Sequence, residues 1–115
     1  MTHPVYPAPS GDLAARRAEL APDTQAAFEA FSRQVFTEGA LSEKTKQLIA
    51  VAVAHVTQCP YCIRSHTRLA QRMGAGDQEI MEAIWVAAEM RAGGAYAHSV
   101  IALEATARRG EGNGH

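Results

Sequence analysis

The chain is predicted to be an all-α domain of about six helices, on three observations. Hydrophobic residues fill 47% of 115 positions, yet aromatics fill only 6% and alanine is abundant, a mixture that suits closely packed helices better than a sheet. Apolar residues recur at three- and four-residue spacing. Helix punctuation is regular: Ser42, Cys59-Pro60 and Asp77 stand where helices begin, and Gly39, Gly74-Ala75-Gly76 and Gly93-Gly94 where they end. The length suits one core and not two.

The elements follow in order. Residues 1–11, with Pro4, Pro7 and Pro9, read as a flexible arm. A first helix is expected from about Asp12 to Leu20, ending before Ala21-Pro22. A second runs from near Asp23 to Glu38, with Phe28, Phe31 and Val35 on one stripe and Gly39 as terminator. The third begins at Leu41-Ser42-Glu43, where Ser42 caps and Glu43 complements the helix dipole. From Leu48 to Ala54 it is apolar on every side, which predicts enclosure by other helices or other subunits. Pro60 suits the first turn of a fourth helix, with Cys59 in the cap region; this helix stops near Met73. Asp77 caps a fifth, with Ile80, Ile84, Ala87 and Ala88 inward. Gly93-Gly94 is expected to separate it from a sixth, over about Ala95 to Arg108. Met73, Met81, Met90 and Trp85 read as core bulk. One helical domain, 12–109, is thus expected, followed by a flexible tail, 110–115.

Eleven basic and twelve acidic side chains leave a formal charge of −1. No basic patch with interleaved aromatics is present, so no nucleic-acid partner is expected. The longest apolar run, Leu48 to Ala54, is too short to cross a bilayer. Met1 to Asp12 holds three prolines and no apolar segment, so no secretory leader is expected and a cytoplasmic location is. Alanine-lined helices have little bulk to fill a monomer core, which predicts a homo-oligomer.

The chemistry concentrates at Cys59-Pro60-Tyr61-Cys62 and His66. At about 100° per residue, Cys62 and His66 fall about 300° and 340° around the helix from Cys59, so all three share one face. Two neighbouring thiols can join, and an imidazole can take or return a proton. A zinc-stabilised or purely structural oligomeric module is the rival from another class, with His55 or His98 completing a ligand set. Structural zinc wants four ligands, however, and the chain has no second C-x-x-C and no H-x₃₋₅-H. A redox dithiol is the favoured reading. The helix N-terminus favours a thiolate on Cys59, whereas His66 favours one on Cys62, and spacing does not choose between them. Thiolate attack on an O–O bond gives a sulfenic acid, which the partner thiol converts to a disulfide; a dithiol must then restore it. Tyr61 is a site or packing residue, and His55 and His98 are candidate site walls.

At these residues the chain resembles the carboxymuconolactone decarboxylase superfamily in its alkylhydroperoxidase (AhpD-like) branch. The resemblance covers about residues 39 to 104. It rests on the run Leu41 to Ala50, the Cys59 to His66 segment, the Gly74-Ala75-Gly76 break and the Gly93-Gly94 turn. True lactone decarboxylases of that superfamily resemble this fold but lack the cysteine pair. The resemblance implies a hydroperoxide-reducing enzyme without cofactor or metal. Cys62 would be the peroxidatic cysteine, Cys59 the resolving one, and His66 a member of a proton relay. The family's glutamate falls at Gln47 here, with Glu43 one turn earlier as a substitute, and Tyr61 stands where the best-known members carry histidine. A trimer or hexamer and a dithiol reductant, protein or small molecule, are implied too. A disulfide oxidoreductase or redox sensor with weak peroxidase activity is the alternative within the same chemistry.

Overall fold

The computed structural model describes residues 5–8 and 10–108, and these form five helices: α1 (Gly11–Leu20), α2 (Pro22–Phe36), α3 (Glu43–Thr57), α4 (Pro60–Arg72) and α5 (Asp77–Ala107). No strand occurs among the described residues. Caps account for most starts. Ser10 Oγ accepts from the Leu13 amide at 3.2 Å, and Ser42 Oγ from that of Thr45 at 3.1 Å. At α5 the carboxylate of Glu79 accepts from the Gly76 amide at 3.0 Å and meets Lys44 of α3 at 2.7 Å. These contacts hold the carboxyl of Glu79 below its usual range.

Two ends position the site. Gln58 closes α3 in the left-handed conformation (φ 58°), uncommon for a residue with a Cβ, and turns the chain so that Cys59 becomes the cap of α4. At the other end of α4, Gly74 has φ 95°. The Ala75 amide donates to the Ala70 carbonyl and the Gly74 amide to that of Gln71, a Schellman closure that needs glycine at this position.

The packed unit is α3 with α4 and the first half of α5; α1 and α2 touch it only lightly. Its core is small: Val51, Ala70, Ala75 and Ile80 are buried together, with Leu48 and Ile84 against them. The radius of gyration is 20.4 Å and the longest dimension 61 Å, against about 13 Å expected for a compact domain of this length.

Two expectations require correction. Gly93-Gly94 does not break the chain: α5 runs through both, because neither glycine takes a positive φ. Two helical glycines cost about 1 kcal/mol each, which one long helix tolerates. Within one chain the apolar run of α3 is covered on one side, Val51 and Ala54 being buried and Ile49 and Val53 about half exposed, so the expected enclosure would need other subunits on the second side. Met73, Met81, Trp85 and Met90, expected as core bulk, are exposed. The expected arm falls partly on residues 1–4 and 9, and the tail 110–115 wholly, outside the described residues.

Candidate functional site

Cys59 is the N-cap of α4, and its Sγ accepts from the Cys62 amide at 3.2 Å. Pro60 occupies the first turn, where its missing N–H is no loss. Cys59 and Cys62 lie 2.6 Å apart as free thiols, both half-buried. Their electrostatics diverge. The Cys62 thiol and the amides of Cys62 and Tyr61 all favour a thiolate on Cys59, lowering its pKa. Cys62 is raised, by its hydrogen bond to Cys59, by burial and by the charge developing on Cys59. The two thiols titrate as one pair, in which the hydrogen bonds at the head of α4 favour the anion on Cys59.

His66 is held from two sides. Phe36 of α2 stacks on its ring, centroids 5.2 Å apart and planes inclined by 26°. Its Nδ1 lies 2.7 Å from Oε1 of Gln47, which is 7% exposed on α3. An amide oxygen only accepts, so Nδ1 carries the proton and Nε2 is left as a base. Burial lowers the pKa of His66, which favours the neutral ring.

Cys62 and His66 line a cavity of about 400 Å³ whose other walls are mainly apolar, including Phe36, Ile49, Val53 and Ala54. Lys46 stands in the same wall, its Nζ donating to the carbonyls of Val35 and Thr37 at 2.8 and 2.6 Å. A second cavity of about 590 Å³ also reaches Cys62, between α4, α1 and the residues before α1; its lining includes Pro7, Ser10, Ala14, Arg17 and Ser65. Tyr61 forms part of that wall: its hydroxyl donates to the Pro7 carbonyl at 2.7 Å and Tyr6 meets its ring edge-on.

Of the residues singled out from the sequence, Cys59, Cys62, His66, Gln47 and Tyr61 come together. Glu43 shares a third cavity with Gln47, beside Arg33 and Met73, and is absent from the two linings that include Cys62. His55 and His98 are outside all three linings; each ring Nδ1 is spent on a carbonyl one turn back in its own helix, Val51 and Gly94 respectively. Among the described residues no cluster of three or more His, Cys, Asp or Glu side chains is disposed to hold a metal ion. Sequence reasoning missed Phe36, Lys46 and Arg17. Phe36 directly follows Val35 of the apolar stripe, which was the available signal.

Comparison with known proteins places the chain in company. The carboxymuconolactone decarboxylase family matches residues 22–105. An uncharacterised protein of the cox locus of Paracoccus denitrificans is 68% identical over 77 residues, which is 67% of this chain and 69% of the relative. A protein from Methanobacterium thermoautotrophicum has a similar structure, with a TM-score of 0.69 and 38% identity over 76% of this chain and 97% of that one. A carboxymuconolactone decarboxylase family protein from Legionella pneumophila gives 0.65 at 32% identity, covering 69% and 70% of the two chains.

Proposed function

The chain belongs to the carboxymuconolactone decarboxylase family, and from that premise we propose that it is a thiol-dependent, peroxidase-like oxidoreductase that reduces hydroperoxides. The observation that carries the reading is a pair of free thiols 2.6 Å apart at the start of α4, one of them sharing a cavity with a neutral, oriented imidazole.

The reaction runs in three stages. Nε2 of His66 takes the Cys62 proton, and the resulting thiolate attacks the O–O bond. The sulfur is oxidised to sulfenic acid, and the leaving alkoxide takes the proton back from the imidazolium as an alcohol. Cys59, whose anion the Cys62 amide favours, then attacks the Cys62 sulfenic sulfur as thiolate; an S–S bond forms and hydroxide leaves, to be protonated to water. A dithiol reductant, itself oxidised to a disulfide, returns both cysteines to thiols. These stages need no cofactor, and they suit a reducing compartment such as the cytoplasm. No helix among the described residues is long and apolar enough to cross a membrane.

The test is oxidation of the reduced protein with one equivalent of hydroperoxide, followed by thiol counting and intact mass. Loss of two thiols and two mass units is expected, and Cys62→Ser should abolish hydroperoxide consumption. Full consumption by that variant, or thiols that react only after denaturation, would overturn the reading; the latter would point to a zinc-bound or structural pair.

A second reading within this chemistry, a disulfide oxidoreductase or redox sensor with weak peroxidase activity, is favoured by Gln47, whose amide orients His66 but cannot shuttle its proton. On that reading Gln47→Glu raises hydroperoxide turnover. The proposal includes self-association, as a trimer or hexamer: Trp85, Met90, Val100, Ile101 and Leu103 are all 60% or more exposed along α5, more apolar surface than a monomer ordinarily leaves in water.

A further inference from the structure

We infer that Cys62 is served from two sides, the apolar cavity admitting the hydroperoxide and the cavity under the N-terminal residues admitting the reductant, a small dithiol entering as its thiolate. The inference rests on the redox reading above and assigns each half-reaction its own entrance.

Cys62 lines both cavities, and the remaining polar groups are divided between them. His66 lines only the first, among Phe36, Ile49 and Val53; Lys46 stands there too, but its Nζ is spent on the Val35 and Thr37 carbonyls. Cleavage of an O–O bond leaves an alkoxide that must be protonated, so the hydroperoxide belongs where the imidazole is. An apolar wall also receives an alkyl group without stranding a polar one. The second cavity has no imidazole; Arg17 is the only charged side chain among its described lining residues, with Ser10 and Ser65 as hydroxyls. Thiol–disulfide exchange needs no proton to form its bonds. It needs an anionic nucleophile held near the sulfur under attack and a leaving thiolate of low pKa. Arg17 meets the first need. Cys59 meets the second, since its sulfur receives the Cys62 amide hydrogen at the head of α4.

The exchange balances. The donor's thiolate attacks Cys62 Sγ, the Cys59–Cys62 bond breaks, and Cys59 leaves with the electron pair. The donor's second thiolate attacks its own first sulfur in the mixed disulfide, releasing Cys62 as a thiolate that takes up a proton. The cysteines are reduced and the donor becomes a disulfide. A cavity of about 590 Å³ holds a small molecule. It is walled by Pro7 and Ala8, which the Tyr61 hydroxyl holds in place from α4.

Stopped-flow measurement of the two half-reactions separates the entrances. Val53→Trp, filling the first cavity, should slow oxidation of the reduced protein by cumene hydroperoxide about tenfold and leave reduction of the disulfide by dithiothreitol unchanged. Ala14→Trp, filling the second, should do the reverse. Where Ala14→Trp does not fold, Arg17→Glu decides: it should slow reduction by the anionic dithiol 2,3-dimercaptopropanesulfonate about tenfold, with Arg17→Lys restoring the rate. Both half-reactions slowed together by either filling variant, or reduction untouched by Ala14→Trp and Arg17→Glu, would overturn the inference. Forming the starting disulfide with diamide keeps the arms independent. A wild type that resists hydroperoxide but shows the reduction effects would overturn the peroxidase reading and uphold the reductant entrance.

Discussion

The two halves of α5 pack very differently. From Asp77 to Ala87 the helix lies on α3 and contributes Ile80 and Ala87 to the buried set; from Ala95 onward every described side chain is exposed, Tyr96 at 82%. Helices α1 and α2 resemble the second half, with no buried residue in either. The dithiol and Gln47 sit on the packed unit, and the looser elements add to it only at the cavity walls, through Phe36, Arg17 and the residues before α1. Residue positioning and surface burial are therefore handled by separate parts of the chain. Substitutions in the first should damage the fold or the chemistry, and substitutions in the second the self-association proposed above.

The sharpest way to break that division is Val51→Asp. Val51 is fully buried between the packed helices, and an unpaired carboxylate there should cost at least about 3 kcal/mol, read as loss of helical signal or a collapse of the urea midpoint. Next, Ile101→Glu on the projecting half of α5 should raise the subunit dissociation constant at least about 100-fold while leaving helix content unchanged. Light scattering checks it, and an unaltered oligomer would remove this face from the interface. Third, Gln47→Leu removes the acceptor for His66 Nδ1. Peroxide oxidation should slow about tenfold with the cavity intact. The pH dependence has a definite sign. Burial lowers His66 below its ordinary value of 6.5, so its stabilising neutral form is present above the unfolded imidazole pKa and is lost as pH falls through the folded value. The acid limb of wild-type oxidation should accordingly lie below 6.5. The smallest effect belongs to Lys44→Ala: its partner Glu79 is exposed, and exposed pairs add little. The urea midpoint should not move measurably at pH 7. What Glu79 does contribute is present above the unfolded carboxyl pKa and lost as pH falls through the lower folded value.

Local signals in the sequence were legible and long-range ones were not. Ser42, Pro60 and Gly74 announce their helix ends because caps and turns are settled within four or five residues, and Cys62 and His66 stand one turn apart on α4 as helix spacing requires, whereas Cys59 is the extended cap before the helix. Gly93-Gly94 misled because glycine permits a break without requiring one. The exposed Trp85 and Met90 misled differently, since bulky apolar residues state that a face will be covered and not by which chain. The contact of Tyr61 with Pro7 spans 54 residues and that of His66 with Gln47 spans 19. No periodicity reports either; Gln47 was reached only through the family resemblance, and the second entrance to Cys62 could not be reached at all.

The sulfur of Cys59 has a bearing on how variants of this protein should be built. It is the atom that receives the Cys62 amide in the first turn of α4, a task a serine oxygen performs equally well and a methyl group cannot. An alanine at this position would silence the dithiol and fray the helix at once, so any lost activity would have two causes. Serine leaves the helix start sealed and deletes only the electron chemistry. The difference between the two variants measures how much of this cysteine is reagent and how much is scaffold.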